Sequence, residues 1–221
     1  MNRILTFYSN SHEQIYKDFF LPSFEEHLNS KFKLTSKIIP QVCESGEFAA
    51  NGFDKAMLKK IEFIVENIDL SDKSKLVFSD CDVQFFGDID LDMDHYDILF
   101  QKDYFEDARC AGFFICKNNQ NVLNFFNQIK NLLENNLNSR VDDQFFLNNL
   151  IKNNFSITHG YLPIDKFWTV GNFTGGKVWN DGDDVQIPKT IVMHHANYTI
   201  GIENKIKLLN IVRDKMTQSS N

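Results

Sequence analysis

An α/β fold is predicted for this chain, on three observations. Short apolar runs of strand length alternate along it with longer stretches whose apolar residues recur every three or four positions. Turn-forming residues punctuate most of the junctions between them. With 221 residues, 43% of them hydrophobic, the chain is also long enough to bury one good core, so a single domain over 1–221 is expected.

The elements follow in order. RILTFY (3–8) is the first strand. Ser9, Asn10 and Ser11 form a turn and N-cap signal, and a helix is predicted from His12 to His27, with Ile15, Phe19, Phe20 and Phe24 as its apolar stripe. FKLTSKII (32–39) alternates and reads as the second strand; CESGEFAANGF (43–53) is loop-like. Asp54 is expected to cap a helix carrying Met57, Ile61, Ile64, Val65 and Ile68. KLVFS (75–79), YDILFQK (96–102) and AGFFICK (111–117) read as strands and VLNFFNQIKNLL (122–133) as a helix. Asp142 is the expected N-cap of a helix over 142–151. Beyond it come a glycine-rich loop (171–184), a last strand, TIVMHH (190–195), and a closing helix, NKIKLLNIVRDKM (204–216). No repeat, linker or second core is evident.

Composition narrows the function. A net charge of −7 disfavours nucleic acid as a partner, because such binding needs a basic face to displace counterions. The 22 phenylalanines require a folded interior. Cys43, Cys81, Cys110 and Cys116 form no C-x-x-C pair and read as reduced thiols of a cytoplasmic protein. The opening MNRILTFYSNSHEQ lacks the apolar length of a signal peptide, and no apolar run reaches transmembrane length; peripheral contact with a membrane stays open.

Four stretches carry chemistry. FSDCDV ends a strand with Asp80 and Asp82, in the position where open α/β sheets bind ligands. On extended backbone, residues two apart point the same way, so both carboxylates are expected to reach one hard cation such as Mn²⁺ or Mg²⁺. The plainer alternative is a strand running into an acid-rich loop, since Asp88, Asp90, Asp92 and Asp94 follow. In CAGFFICK, Ala111 and Gly112 leave backbone bare for a ligand, although taken alone the plainer reading is a bulge entering a buried strand. In RVDDQFF, Asp142 and Asp143 suit a helix start, whereas Gln144 is left unexplained by capping. In MHHANYTIGIENK, His194 and His195 follow a strand, and Lys205 stands just beyond Gly201.

Taken in this order, the four stretches resemble the GT-A glycosyltransferases, and more closely the nucleotide-diphospho-sugar transferase group. The resemblance runs from ILTFYSNSHEQ to the last helix and implies a Rossmann-like mixed sheet flanked by helices. It implies Asp80, Asp82 and His195 as ligands of Mn²⁺ or Mg²⁺, with His194 as the substitute. Asp80 is also implied at the donor ribose, Lys205 at the diphosphate, Ala111 and Gly112 beside the donor sugar, and Thr6, Phe7 and Tyr8 against the base. Asp143 and Gln144 would lie against the reacting sugar. The implied activity is transfer from a UDP- or GDP-sugar to a glycan or other hydroxyl acceptor, with retention.

Two rivals stand beside this reading. DCDV also fits the nucleophile motif of haloacid-dehalogenase-type phosphatases, with Asp80 as nucleophile, although about eighty residues precede it here. A non-catalytic nucleotide- or sugar-binding module is the other.

Overall fold

The computed structural model describes residues 1–45, 50–90, 92–105 and 107–219, so part of the loop read at 43–53 lies outside the described residues. Strand β1 (Asn2–Tyr8) pairs in parallel with β2 (Phe32–Ile38) on one side and β3 (Lys75–Ser79) on the other. β3 in turn pairs antiparallel with β6 (Arg109–Lys117), β6 antiparallel with β5 (Ile98–Lys102), and β5 in parallel with β7 (His159–Tyr161). The result is a mixed six-stranded sheet in the order β2-β1-β3-β6-β5-β7. Three further strands, β4 (Val83–Phe85), β8 (Phe167–Thr169) and β9 (Met193–His195), make a second sheet in the order β4-β9-β8.

The alternation of strand side chains sorts the core into two layers. Leu76, Phe78, Phe114 and Cys116 pack with Met57, Ile61 and Ile64 of helix α3 (Phe53–Asn67), with α4 (Gln120–Glu134) and with α5 (Asp143–Lys152). Val77, Phe113 and Ile115 face the other way, onto Tyr16, Phe20 and Phe24. A third cluster, including Trp168, Trp179, Leu208 and Val212, lies under α7 (Ile202–Ser219). One core was expected from the sequence; the small sheet adds a further apolar layer.

Several expectations are corrected. The helix over 12–27 is segmented: a 3-10 turn (Asn10–His12), α1 (Glu13–Ile15), a π-helical turn (Tyr16–Phe20) and α2 (Leu21–His27). Tyr16 in the π turn stacks on Tyr8 with ring centroids 4.2 Å apart. Gly52, not Asp54, caps α3: it adopts φ +82°, and a Cβ there would lie 2.0 Å from the Val42 carbonyl oxygen. Asp54 sits in the first turn, accepting from the Lys55 and Asn138 amides. Asp142 does cap α5, accepting from Phe145 N at 2.8 Å. The stretch read as a glycine-rich loop contains α6 (Gly171–Thr174). The segment holding Asp80 and Asp82 is not extended either: the chain turns at Cys81 and Asp82.

Candidate functional site

That turn builds the site. Its ends are pinned by Asp80 N donating to Gly112 O at 2.7 Å and by Ala196 N donating to Asp82 O at 2.9 Å. β9 pairs with β4 so that Val83 lies opposite His195, which brings the imidazole beside both aspartates. Among the described residues, ligand atoms of Asp80, Asp82 and His195 all fall within 4.8 Å of one another. Gly112 makes this approach possible, since a Cβ there would lie 2.4 Å from His195 Cε1 and 2.6 Å from Asp80 Oδ2.

Hydrogen bonding orients the imidazole. Gln101 donates through Nε2 to the Phe167 and Trp168 carbonyls at 3.4 and 3.5 Å, so its Oε1 accepts from His195 Nδ1 at 2.8 Å. Nε2 is thereby turned to Asp82 Oδ1, 3.3 Å away. Lys205 holds the other oxygen of Asp82. Burial alone would raise the Asp82 carboxyl, but Lys205 and His195 outweigh it and hold it well below the usual carboxylate range. Burial opposes charge on His195, yet Asp82 beside it pushes the ring up to about 10. His194, its neighbour on β9, points into the interior against Trp168 and is driven down to about 3 by burial and by His195.

A second ion-pair system, missed in the sequence, adjoins the first. Lys60 of α3 reaches Asp143 Oδ2 at 2.9 Å and Asp80 Oδ1 at 3.3 Å, with its own side chain only 3% exposed. Burial disfavours its charge, but the two carboxylates keep the ammonium pKa above its ordinary value. Its signal in the sequence was a lysine at a stripe position, between Met57 and Ile61, where a helix facing a core should be apolar. Asp80 is raised, by burial first, with Lys60 opposing. Gln144 is tied at both ends: Oε1 accepts from Ala111 N at 3.1 Å, and Nε2 donates to Asp103 Oδ2 at 2.8 Å. Asp103, also unforeseen, accepts from the Tyr198 hydroxyl.

Most of these groups line one cleft of about 560 Å³, but Gln101 and His194 are not among its lining residues. Phe7, Tyr8, Asp80, Asp82, Ala111, Gly112, Asp143, Gln144, His195 and Lys205 are in its wall. Thr6 is fully buried and is not among the lining residues. His12 is a further member, with Nδ1 3.0 Å from Ser11 Oγ, and burial and Lys205 lower its pKa to about 4.

The family model for nucleotide-diphospho-sugar transferases matches residues 26–209. The chain belongs to that family. None of the curated proteins matches it in sequence. Among solved structures, the glycosyltransferase GlyE of Streptococcus pneumoniae TIGR4 superposes with a TM-score of 0.60 at 14% identity, over 100% of this chain and 65% of GlyE. The chain therefore spans less than two thirds of GlyE's length. The apo form of GlyE gives 0.56 at 14% identity, over 99% of this chain and 64% of that one. The galactosyltransferase LgtC, solved with donor and acceptor sugar analogs, gives 0.58 at 12% identity, over 88% and 87% of the two chains. The fold of this family member is thus similar to that of the GT-A glycosyltransferases, and membership displaces the phosphatase alternative.

The donor set fits a divalent cation. Two carboxylates and an imidazole whose Nε2 faces them are the hard-oxygen and nitrogen ligands that Mn²⁺ and Mg²⁺ accept, and Gly112 clears space beside them.

Proposed function

We propose that the chain, acting as one GT-A domain over 1–221, is a metal-dependent glycosyltransferase that moves a sugar from a UDP- or GDP-sugar to a glycan or other hydroxyl acceptor. The observation that carries this reading is the convergence of Asp80, Asp82 and His195 on one wall of a cleft that also holds Lys60 and Lys205. The cleft volume, about 560 Å³, lies within the range typical of small-molecule sites. The buried thiols of Cys43, Cys81, Cys110 and Cys116 suit the reducing cytoplasm.

Asp80, Asp82 and His195 would hold the cation. When bound, Mn²⁺ or Mg²⁺ supplies charge neutralisation for a leaving diphosphate. Lys205, at the Asp82 edge of the cleft, supplies further positive charge to that leaving group. Phe7 and Tyr8, at the end of β1, offer aromatic surface to the base. Ala111 and Gly112 present small side chains to the donor sugar. Asp143, paired with Lys60, faces the positive charge that grows at the anomeric carbon, and Gln144 bridges Asp103 to the Ala111 amide.

Retention is the stereochemistry we favour, because inversion calls for a carboxylate base open to the acceptor hydroxyl. Among the described residues of the cleft, Asp80 and Asp143 pair with Lys60, and Asp82 with Lys205. Asp103 accepts from Tyr198 and Gln144, and Asp142 caps α5. Every one is already engaged.

Thermal unfolding with UDP and GDP, each with and without Mn²⁺, tests the proposal. A nucleotide at about 100 times its Kd adds roughly 2.7 kcal/mol, a rise of about 5–10 °C for a chain of this size. A rise that needs Mn²⁺ and vanishes in Asp82→Asn is expected. No rise with any nucleotide overturns it.

A further inference from the structure

Exposed apolar side chains stand at the mouth of the cleft, whose charged groups are buried deeper. Phe105, Val178 and Ile200 all line it, and they remain 60%, 40% and 55% exposed. They come from three segments that the structure ties together. The ring of Tyr104 packs so closely on Gly176 that a Cβ there would lie 2.3 Å from Tyr104 Cδ1. Trp179 N donates to Tyr198 O at 2.7 Å and Trp179 bridges in parallel to Thr199, which ties the segment carrying Val178 to the one carrying Ile200. The Tyr198 hydroxyl then reaches Asp103, linking this rim to the cleft wall.

We propose that the acceptor is amphiphilic: its hydroxyl enters the cleft, and an attached alkyl or acyl chain rests on Phe105, Val178 and Ile200. The proposal rests on the glycosyltransferase reading and specifies the second substrate of the same site. A nucleotide-sugar is polar throughout its diphosphate and sugar and finds its partners among Asp80, Asp82, Lys205 and Asp143. Its one flat aromatic part, the base, is taken up by Phe7 and Tyr8 in this reading, which leaves the acceptor as the reactant that meets the rim. An alkyl chain fits better than a stacked sugar ring. Val178 and Ile200 have no π face, and a sugar ring would bring hydroxyls onto surface that offers them no partner.

The test compares paired probes below their micelle concentration: octyl and methyl β-D-glucoside, and octyl and methyl β-D-galactoside. Binding to the full chain is measured by calorimetry, with Mn²⁺ and UDP or GDP and also without them. At least one octyl glycoside should bind about tenfold or more tightly than its methyl partner, as burial of an alkyl chain on three apolar side chains requires. Phe105→Ser with Ile200→Ser should abolish that preference while leaving the nucleotide-induced thermal shift in place. Equal affinities, undetectable binding of the octyl probes, or a preference that survives the double variant would overturn it. So would attachment to phosphatidylcholine vesicles that the double variant loses, which would assign the rim to a bilayer surface. A failed nucleotide shift alongside an intact octyl preference would sink the parent reading instead.

Discussion

The ammonium of Lys205 rests on one oxygen of Asp82, although the two residues stand 123 positions apart in the chain. With His195 on the other oxygen, Asp82 is the hub of the site's charge. Asp82→Asn keeps the shape and removes the charge. It should reduce sugar transfer by at least about a hundredfold, the scale seen when one preorganised electrostatic group is deleted. A steady-state assay of nucleoside diphosphate release checks this, and near-normal turnover would show that Asp82 is not a ligand. A binding module without turnover would show no release in either protein.

Lys60 pairs with two carboxylates at once, in a setting where an unpaired charge is costly. Lys60→Met should destabilise the fold by about 3–5 kcal/mol, because Asp80 and Asp143 lose their shared cation. Denaturant unfolding measures this. Adding Asp143→Asn to Lys60→Met should recover part of the loss; strict additivity would mean that the pair does not interact.

Gly112 is required by space rather than by backbone angle. Gly112→Ala should push the His195 and Asp80 side chains apart and abolish Mn²⁺-dependent nucleotide binding. The nearest neighbours of the added methyl are side-chain atoms rather than backbone, so far-UV circular dichroism should be unchanged. Tight metal-dependent binding in this variant would show that the side chains give way.

His12 sets a pH dependence. Its pKa is lowered from the ordinary 6.5 to about 4 by burial and by Lys205. The unfolded chain therefore takes up a proton before the folded one does. The associated stability is complete above pH 6.5 and is lost as the pH falls towards 4, with a slope of at most about 1.4 kcal/mol per unit. His12→Gln should flatten the stability curve over that window. An unchanged slope would show that His12 is charged in the folded protein.

Much of this structure could be read in advance where elements are long and periodic. β1, β2, β3 and α5 lie within two residues of their expected bounds, because an apolar run bounded by turn residues, an alternating stretch or a capped helical stripe is a strong local signal. β4, β7 and β8 were missed. Each is three residues long and exists through pairings with distant segments, such as Val83 with His195. The site divides in the same way. Asp80, Asp82, His195 and Lys205 stood out as motif residues in order. Lys60 was hidden because a charged residue inside an apolar stripe is noticed only once its two partners are known. The aspartates do converge, through a turn held at Gly112 and Ala196 and not through the side-chain alternation of a strand.

The pairing of β4 with β9 also fixes when the site can exist. During synthesis the two aspartates leave the ribosome more than a hundred residues before the histidine, and the lysine of the last helix follows later still. Until that stretch emerges, the carboxylates face water without their cations, and the small sheet lacks its middle strand. The candidate ligand set thus closes only once residues 193–205 have emerged, and any metal-assisted nucleotide capture is a property that a chain cut before that stretch cannot show.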